Sequence, residues 1–348
     1  MNPFLNFSNT FFDTVRLFYP THSKISDIIE KRPDPQGLGQ WQNHVFVPEQ
    51  PSSEPLINNI NYFVFAPEPT TQKADTEGMP LVIMMHGCKQ TAPSFAQGTQ
   101  MNLLAQSHGF VTLYPQQDLR NSLIRCWRWF DRGNFSGMAE MRTLMKMIHT
   151  VIEDYKLDNK KVFLVGLSAG AGMASILAAN HPDEFCALAL HSGPVLNKAH
   201  NITSGLQVMA DRELESDACL LHYLSGFNPK SFYMPAMIIQ GINDMTVDKS
   251  NATELAKQFL HLNNLPMDMQ IKHEFHDQGT PREYRHASFH DGGHSVVETI
   301  EACSLEHAWG GGDTSLPYNS VEGPDSSALI VDFFKRCAKE YDERNNAD

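Results

Sequence analysis

Val162-Phe-Leu-Val165 is an uninterrupted apolar run that feeds directly into Gly166-Leu-Ser168-Ala-Gly170, and the small-residue segment Ala169–Asn180 follows. A strand with apolar side chains on both faces has to be covered on both faces. The interior of a parallel sheet between two helical layers provides that cover. The same alternation recurs along the chain. Strands are predicted at Asn61–Ala66, Leu81–Met85, Phe110–Tyr114, Lys161–Val165, Phe185–Leu190, Ala236–Gln240, Met269–Phe275 and Val296–Ala302. Between them fall helical patterns: one capped by Ser94 and ending at His108-Gly109, one carrying Met141, Leu144, Met145, Ile148, Val151, Ile152 and Tyr155 at steps of mostly three to four, and others at Thr253–Leu262 and Ala328–Tyr341. The expectation is an α/β fold with a mostly parallel central sheet and helices on both faces. Residues 1–60 lack a clear period and carry turn clusters such as Arg32-Pro-Asp-Pro-Gln-Gly37, so they read as an N-terminal lead-in with a short helix near Phe11–Phe18. Residues 61–348 read as a single α/β domain.

Charge and composition narrow the function. The chain of 348 residues carries 27 basic and 40 acidic side chains, a net charge of −13, which disfavours a nucleic-acid partner. No apolar run approaches the ~18–20 residues of a membrane span. Met1–Pro20 is aromatic but broken by Asn, Ser and Asp, with its first basic residue at Arg16, so no signal peptide is expected and the location reads as cytoplasmic. The six cysteines show neither CxxC nor zinc-finger spacing.

The Gly-x-Ser-x-Gly segment gains meaning from its position between strand and helix. A sharp turn there lifts the serine hydroxyl above the sheet edge, and the flanking glycines keep side chains from colliding across the turn. Ser168 is therefore the candidate nucleophile. A serine hydroxyl needs a base to take its proton, and in such folds an acid and then a histidine follow in chain order on loops after later strands. Asp244, after Ala236–Gln240, is the candidate acid, with Asp248 as runner-up. Of 16 histidines, His307 follows the last strand in the glycine-rich segment Glu306-His-Ala-Trp-Gly-Gly-Gly312 and is the candidate base. His294, beside an Asp-Gly-Gly turn, is the alternative, and His191 is expected to be a structural neighbour. An oxyanion hole needs two backbone donors, and the N–H groups of Ala169 and Cys88 are expected to supply them, the latter from the loop Met84-Met-His86-Gly-Cys88-Lys-Gln90. Trp127, Trp129 and Trp309 lie beside these segments and are candidates to line the acyl pocket, with core packing as the competing role.

His86-Gly-Cys88-Lys-Gln90, Cys126-Trp-Arg-Trp-Phe130, Gly166-Leu-Ser-Ala-Gly170, His191-Ser-Gly193, Asp244-Met-Thr-Val247, His307-Ala-Trp-Gly-Gly311 and Gly323-Pro-Asp-Ser-Ser327 occur in this order. Together, over about residues 60–340, they resemble the catalytic domain of the poly(3-hydroxybutyrate) depolymerase family of serine esterases. The resemblance implies an α/β-hydrolase fold and hydrolysis of short-chain polyhydroxyalkanoate, poly(3-hydroxybutyrate) or its oligomers, through an acyl-enzyme, without metal or cofactor. It leaves feruloyl or acetyl esterases, an acyltransferase and a silent granule-binding protein as alternatives. Many members of the family are secreted, the alternative to a cytoplasmic location. In the family the positions of Cys88 and Cys126 are both cysteine, which implies a disulfide between them. Glu306 and Ala171 stand where the family usually has glycine.

Overall fold

Ten strands form one sheet. In chain order they are β1 (Gln40–Phe46), β2 (Ile60–Ala66), β3 (Leu81–Met85), β4 (Val111–Gln116), β5 (Val162–Leu167), β6 (Ala187–His191), β7 (Ala236–Gly241), β8 (Glu274–His276), β9 (Tyr284–Asp291) and β10 (His294–Ala302). Their spatial order is β1-β2-β4-β3-β5-β6-β7-β10-β9-β8. The run from β4 to β10 is parallel, whereas β1-β2-β4 at one edge and β10-β9-β8 at the other are antiparallel. The computed structural model describes residues 37–48, 59–68, 76–131, 136–227, 233–268 and 273–345. Pro35–Asp348 is one compact unit, and the helix expected at Phe11–Phe18 lies outside the described residues.

The central strands are buried along their whole length, as their apolar runs require: every residue of β3, β5, β6 and β7 is inaccessible. Helices α1 (Ala92–Thr99), α2 (Met101–His108), α3 (Ser136–Asp154), α4 (Ala169–Asn180), α5 (Ile202–Ala210), α6 (Asp217–Tyr223), α7 (Ser250–Leu262) and α8 (Ser326–Asn345) accompany the sheet. Two large cores result. One joins Ile83, Leu113, Leu164, Leu188 and Ile238 to residues of α3, α4 and α7. The other joins Val82, Phe163, Val165, Ala189 and Ile239 to Ile330, Phe333 and Phe334 of α8. Adjacent residues of one strand thus face opposite cores, the alternation of a pleated sheet buried on both sides.

Several expectations are corrected. The sheet begins at Gln40 rather than Asn61, because the lead-in supplies β1, paired in register from Gln40↔Ala66 to Phe46↔Ile60. β1 is an edge strand with no fully buried residue, so it needs no apolar run. The helix expected from Ser94 to His108 breaks at Gln100, whose φ of 55° turns the chain between α1 and α2. Thr91, not Ser94, is the cap: its hydroxyl accepts the Ser94 N–H at 3.2 Å, and Ser94 Oγ accepts the Thr91 N–H at 2.9 Å. The strand expected over Met269–Phe275 is described only as β8, its residues 269–272 lying outside the described residues.

Candidate active site

Ser168 stands between β5 and α4 with φ 57° and ψ −119°, a strained conformation for a residue with a side chain. Close packing forces the glycines on either side. A Cβ on Gly166 would stand 2.3 Å from the Gly170 backbone, and one on Gly170 would stand 2.0 Å from the Met85 carbonyl oxygen. The Ser168 N–H donates to the His191 carbonyl at 2.9 Å, which ties the turn to the end of β6.

Asp244 and His307 meet from the loops after β7 and β10, neighbouring parallel strands. His307 Nδ1–H donates to Asp244 Oδ2 at 2.7 Å, and Oδ1 of the same carboxylate accepts the N–H groups of Thr246 at 2.8 Å and Val247 at 2.9 Å. Burial acts to raise the Asp244 carboxyl, but the His307 hydrogen bond and charge, with the two backbone donors, outweigh it and hold the group below its ordinary value. The two loops are strapped together by Ile242 N–H to Ala302 O at 3.0 Å and Asn243 N–H to Leu305 O at 3.1 Å. Among the described residues no hydrogen bond joins Ser168 to His307; such contacts are often long in a resting site. The rejected candidates occupy other places. Asp248 accepts the Ser250 N–H at 3.0 Å at the start of α7 and lies 3.7 Å from Arg212. His294 lies at the β9–β10 hairpin, 3.5 Å from Glu340.

The loop carrying Gly87 and Cys88 lies against the serine: a Cβ on Gly87 would stand 3.5 Å from Ser168 Cβ. Ala169 opens α4, where the first N–H groups have no acceptor within the helix. Cys88 and Cys126 are joined by a disulfide, with Cα atoms 4.2 Å apart, and Lys89 N–H donates to Ile124 O at 2.7 Å beside it. His86 fixes the base of this loop. Its Nε2 accepts the Gln117 N–H at 3.1 Å, so the proton sits on Nδ1 and is donated to Gly87 O at 2.7 Å. Burial pushes the His86 imidazole down to about 4, which keeps it neutral in that role. Glu140, missed by the sequence reading, accepts from the Gln117 side chain and from the Arg128 N–H at 2.8 Å, and burial pushes its carboxyl up to about 7. Gln240 was equally missed: its Nε2 donates to Val247 O at 3.0 Å and lies 3.3 Å from Asp244 Oδ2. No sequence motif marks either residue, since each is defined by burial against a loop.

The tryptophans depart from the pocket expectation. Trp127 is fully buried and its Nε1–H donates to the His86 carbonyl at 2.9 Å. Trp309 is also buried, stacks on His191 at 5.0 Å between ring centroids and donates to Ser327 Oγ at 3.0 Å. From the core side the Trp127 ring holds loop backbone in place, and the Trp309 ring holds a serine hydroxyl at the start of α8. Trp129 packs on Gly172 of α4 and borders a cavity of about 160 Å³ with Ile176, Asn180 and Phe227, not with Ser168. His191 is the structural neighbour expected of it, shut inside the protein, where burial holds its imidazole down to about 3.

A nucleophile elbow, a carboxylate–imidazole pair on later loops and an early loop beside the serine, all set on a parallel sheet, define the α/β-hydrolase class. Residues 61–309 match the family described as Esterase PHB depolymerase, and the chain belongs to that family. It is 29% identical over 235 residues to poly(3-hydroxyalkanoate) depolymerase C of Paucimonas lemoignei, a match spanning 66% of this chain and 54% of that one. It is 28% identical over 138 residues to acetylxylan esterase A of Aspergillus oryzae, spanning 39% of this chain and 42% of the other. The chain thus spans about half the length of the curated relatives it matches. An acetyl xylan esterase from Aspergillus awamori has the same fold, with a TM-score of 0.65 at 18% identity over 86% of this chain and 100% of its own.

Proposed function

We propose that this chain is a serine carboxylesterase that cleaves short-chain polyhydroxyalkanoate, poly(3-hydroxybutyrate) or its oligomers, through an acyl-enzyme on Ser168. The observation that carries the reading is the 2.7 Å hydrogen bond from His307 to Asp244 on strapped loops, in a chain whose elbow serine lies against the Gly87–Cys88 loop. His307 takes the proton of Ser168 as the hydroxyl attacks the ester carbonyl. Asp244 holds the imidazole in orientation and balances its positive charge. The N–H groups of Cys88 and Ala169 receive the oxyanion. His307 then returns its proton to the departing alcohol, and a water activated by the same imidazole releases the acid.

The similarity to the depolymerase of Paucimonas lemoignei supports the polyester reading, and the similarity to an acetylxylan esterase supports a second one, hydrolysis of acetyl esters. Of the two locations considered from sequence, the Cys88–Cys126 disulfide supports an oxidising compartment. The test is a hydrolysis screen of the purified chain against 3-hydroxybutyrate oligomers, acetylated xylan and methyl ferulate, with Ser168→Ala as the blank. Preferential cleavage of the oligomers is expected. Preference for another ester overturns the substrate assignment, and a Ser168→Ala variant with more than about a thousandth of the parent kcat overturns the mechanism.

A further inference from the structure

The outer edge of the sheet carries a second cluster of chemistry-bearing side chains, unconnected with the elbow. Glu274 and His276 are two residues apart on β8 and therefore share one face of the strand. On that face the register sets Glu274 opposite His286 of β9. Each of the three offers one ligand atom, and these atoms lie within 4.8 Å of one another. The partners around them leave coordination open. His276 Nε2 is sealed from solvent and has no hydrogen-bond partner among the described residues, while its ring is clamped flat against Tyr284 at 4.7 Å between centroids. A buried imidazole nitrogen without a partner is costly unless something fills the position. Behind His286 stands Glu298, 3.1 Å from Nε2 and itself gripped by Arg336 at 2.8 and 3.0 Å. A carboxylate behind an imidazole fixes its tautomer and orientation, as second partners of metal-bound histidines do.

We propose that Glu274, His276 and His286 form a binding site for a divalent transition-metal ion, Zn²⁺ first among them. Two imidazole nitrogens and one carboxylate suit zinc, whereas Mg²⁺ and Ca²⁺ demand sets of oxygens. Ligand atoms on a tetrahedral zinc bound at ~2.0–2.1 Å stand about 3.4 Å apart, so the three side chains close on the ion by small rotations at an exposed edge. Three protein ligands leave the fourth position to water, and the ion's role here is to cross-link strands rather than to act on the ester. β8 lies five strands from β5 in the sheet, roughly 24 Å at the usual strand spacing, too far for the ion to touch an ester at Ser168. A bound ion would cross-link the short three-residue strand β8 to β9 and protect the open edge.

The test is calorimetric titration of the full chain with ZnCl₂, for the parent, for Glu274→Gln and for the double variant His276→Ala/His286→Ala. One site per chain is expected in the parent. It should be lost in the double variant and at least about tenfold weaker in Glu274→Gln. Zinc should raise Tm in the parent and leave the double variant unmoved, while ester hydrolysis is the same in all three. Superimposable isotherms for parent and double variant, or no binding at submillimolar zinc, overturn the proposal, as does equal binding of Mg²⁺. If circular dichroism shows the double variant misfolded, Glu274→Gln decides alone, since an exposed carboxyl contributes little to folding, and unchanged affinity there refutes the site.

Discussion

Removing the Cys88–Cys126 disulfide tests how the early loop is held beside Ser168. The bridge closes a loop of 38 residues, and the chain-entropy model gives about 4 kcal/mol of stabilisation for a loop of that length. A domain is typically stable by only ~5–15 kcal/mol, so the loss should be plain in a urea unfolding curve. Two routes to the same state check each other, reduction of the parent and the double variant Cys88→Ala/Cys126→Ala. Activity should respond differently. Three hydrogen bonds survive the cut, from Lys89 N–H to Ile124 O at 2.7 Å, from Trp127 Nε1–H to His86 O at 2.9 Å and from Gln117 N–H to His86 Nε2 at 3.1 Å. They keep the loop near Ser168, so kcat should fall less than tenfold with KM unchanged, against the ~10²–10³-fold cost of losing an oxyanion donor outright. A stability loss below about 1 kcal/mol would refute the loop-closure account. A fall in kcat of the full ~10²–10³-fold would show that the disulfide alone positions the donor, contrary to the role given to His86 and Trp127.

Asp244→Asn should cut kcat by about 10⁴-fold, because an amide no longer selects the imidazole tautomer, while Asp248→Asn should leave kcat within a few-fold; steady-state kinetics on one ester substrate separates them, and equal losses would reject Asp244 as the acid. Gly170→Ala places a methyl 2.0 Å from the Met85 carbonyl oxygen, so it should cost a few kcal/mol by forcing β3 and α4 apart, read as a lowered urea midpoint. His86 is held near 4 in the fold against about 6.5 when unfolded, so its contribution is fully present above pH 6.5 and is lost as pH falls towards 4, a change of about 3 kcal/mol. Urea curves at pH 7 and pH 4 should show the parent losing about that much more than His86→Gln, and equal losses would contradict a buried neutral histidine.

What could be read from the sequence follows what burial does to a pattern. β3, β5, β6 and β7 are enclosed on both faces, so their residues had to be almost uniformly apolar, and the strand-to-helix setting of Ser168 followed from that. Asp244 and His307 were found by chain order, because loops after successive parallel strands open on one side of a sheet. The edges were harder. β1 and β9 are half exposed and mix Gln, His, Arg and Ser with their apolar residues, so neither shows a full run. The break at Gln100 was invisible because a left-handed residue inside a helical pattern leaves the period on either side intact. Tryptophans beside the candidate site segments gave the opposite error. Trp127 and Trp309 are placed there to satisfy buried loop backbone and a serine hydroxyl, a role that composition does not separate from binding an acyl group.

The second core has a consequence for how the protein is made. Phe163 and Val165 of β5 are covered on that face by a helix more than 150 residues further along the chain, with Phe334 stacked on Phe163 at 4.5 Å between centroids. α1 and α2 add Phe95, Ala96, Met101 and Ala105 to the same core early in the chain. Until α8 has left the ribosome, however, the sheet can be complete in every hydrogen bond and still leave uncovered the share of that face that Ile330, Phe333 and Phe334 occupy. A nascent chain in that state is a natural client for chaperones and a hazard for its own neighbours on the polysome. Ser326 and Ser327 at the start of α8 also reach His191, whose carbonyl holds the Ser168 N–H, and Trp309, two residues beyond His307. Messages cut short upstream of codon 326 should therefore yield insoluble product rather than a weak enzyme.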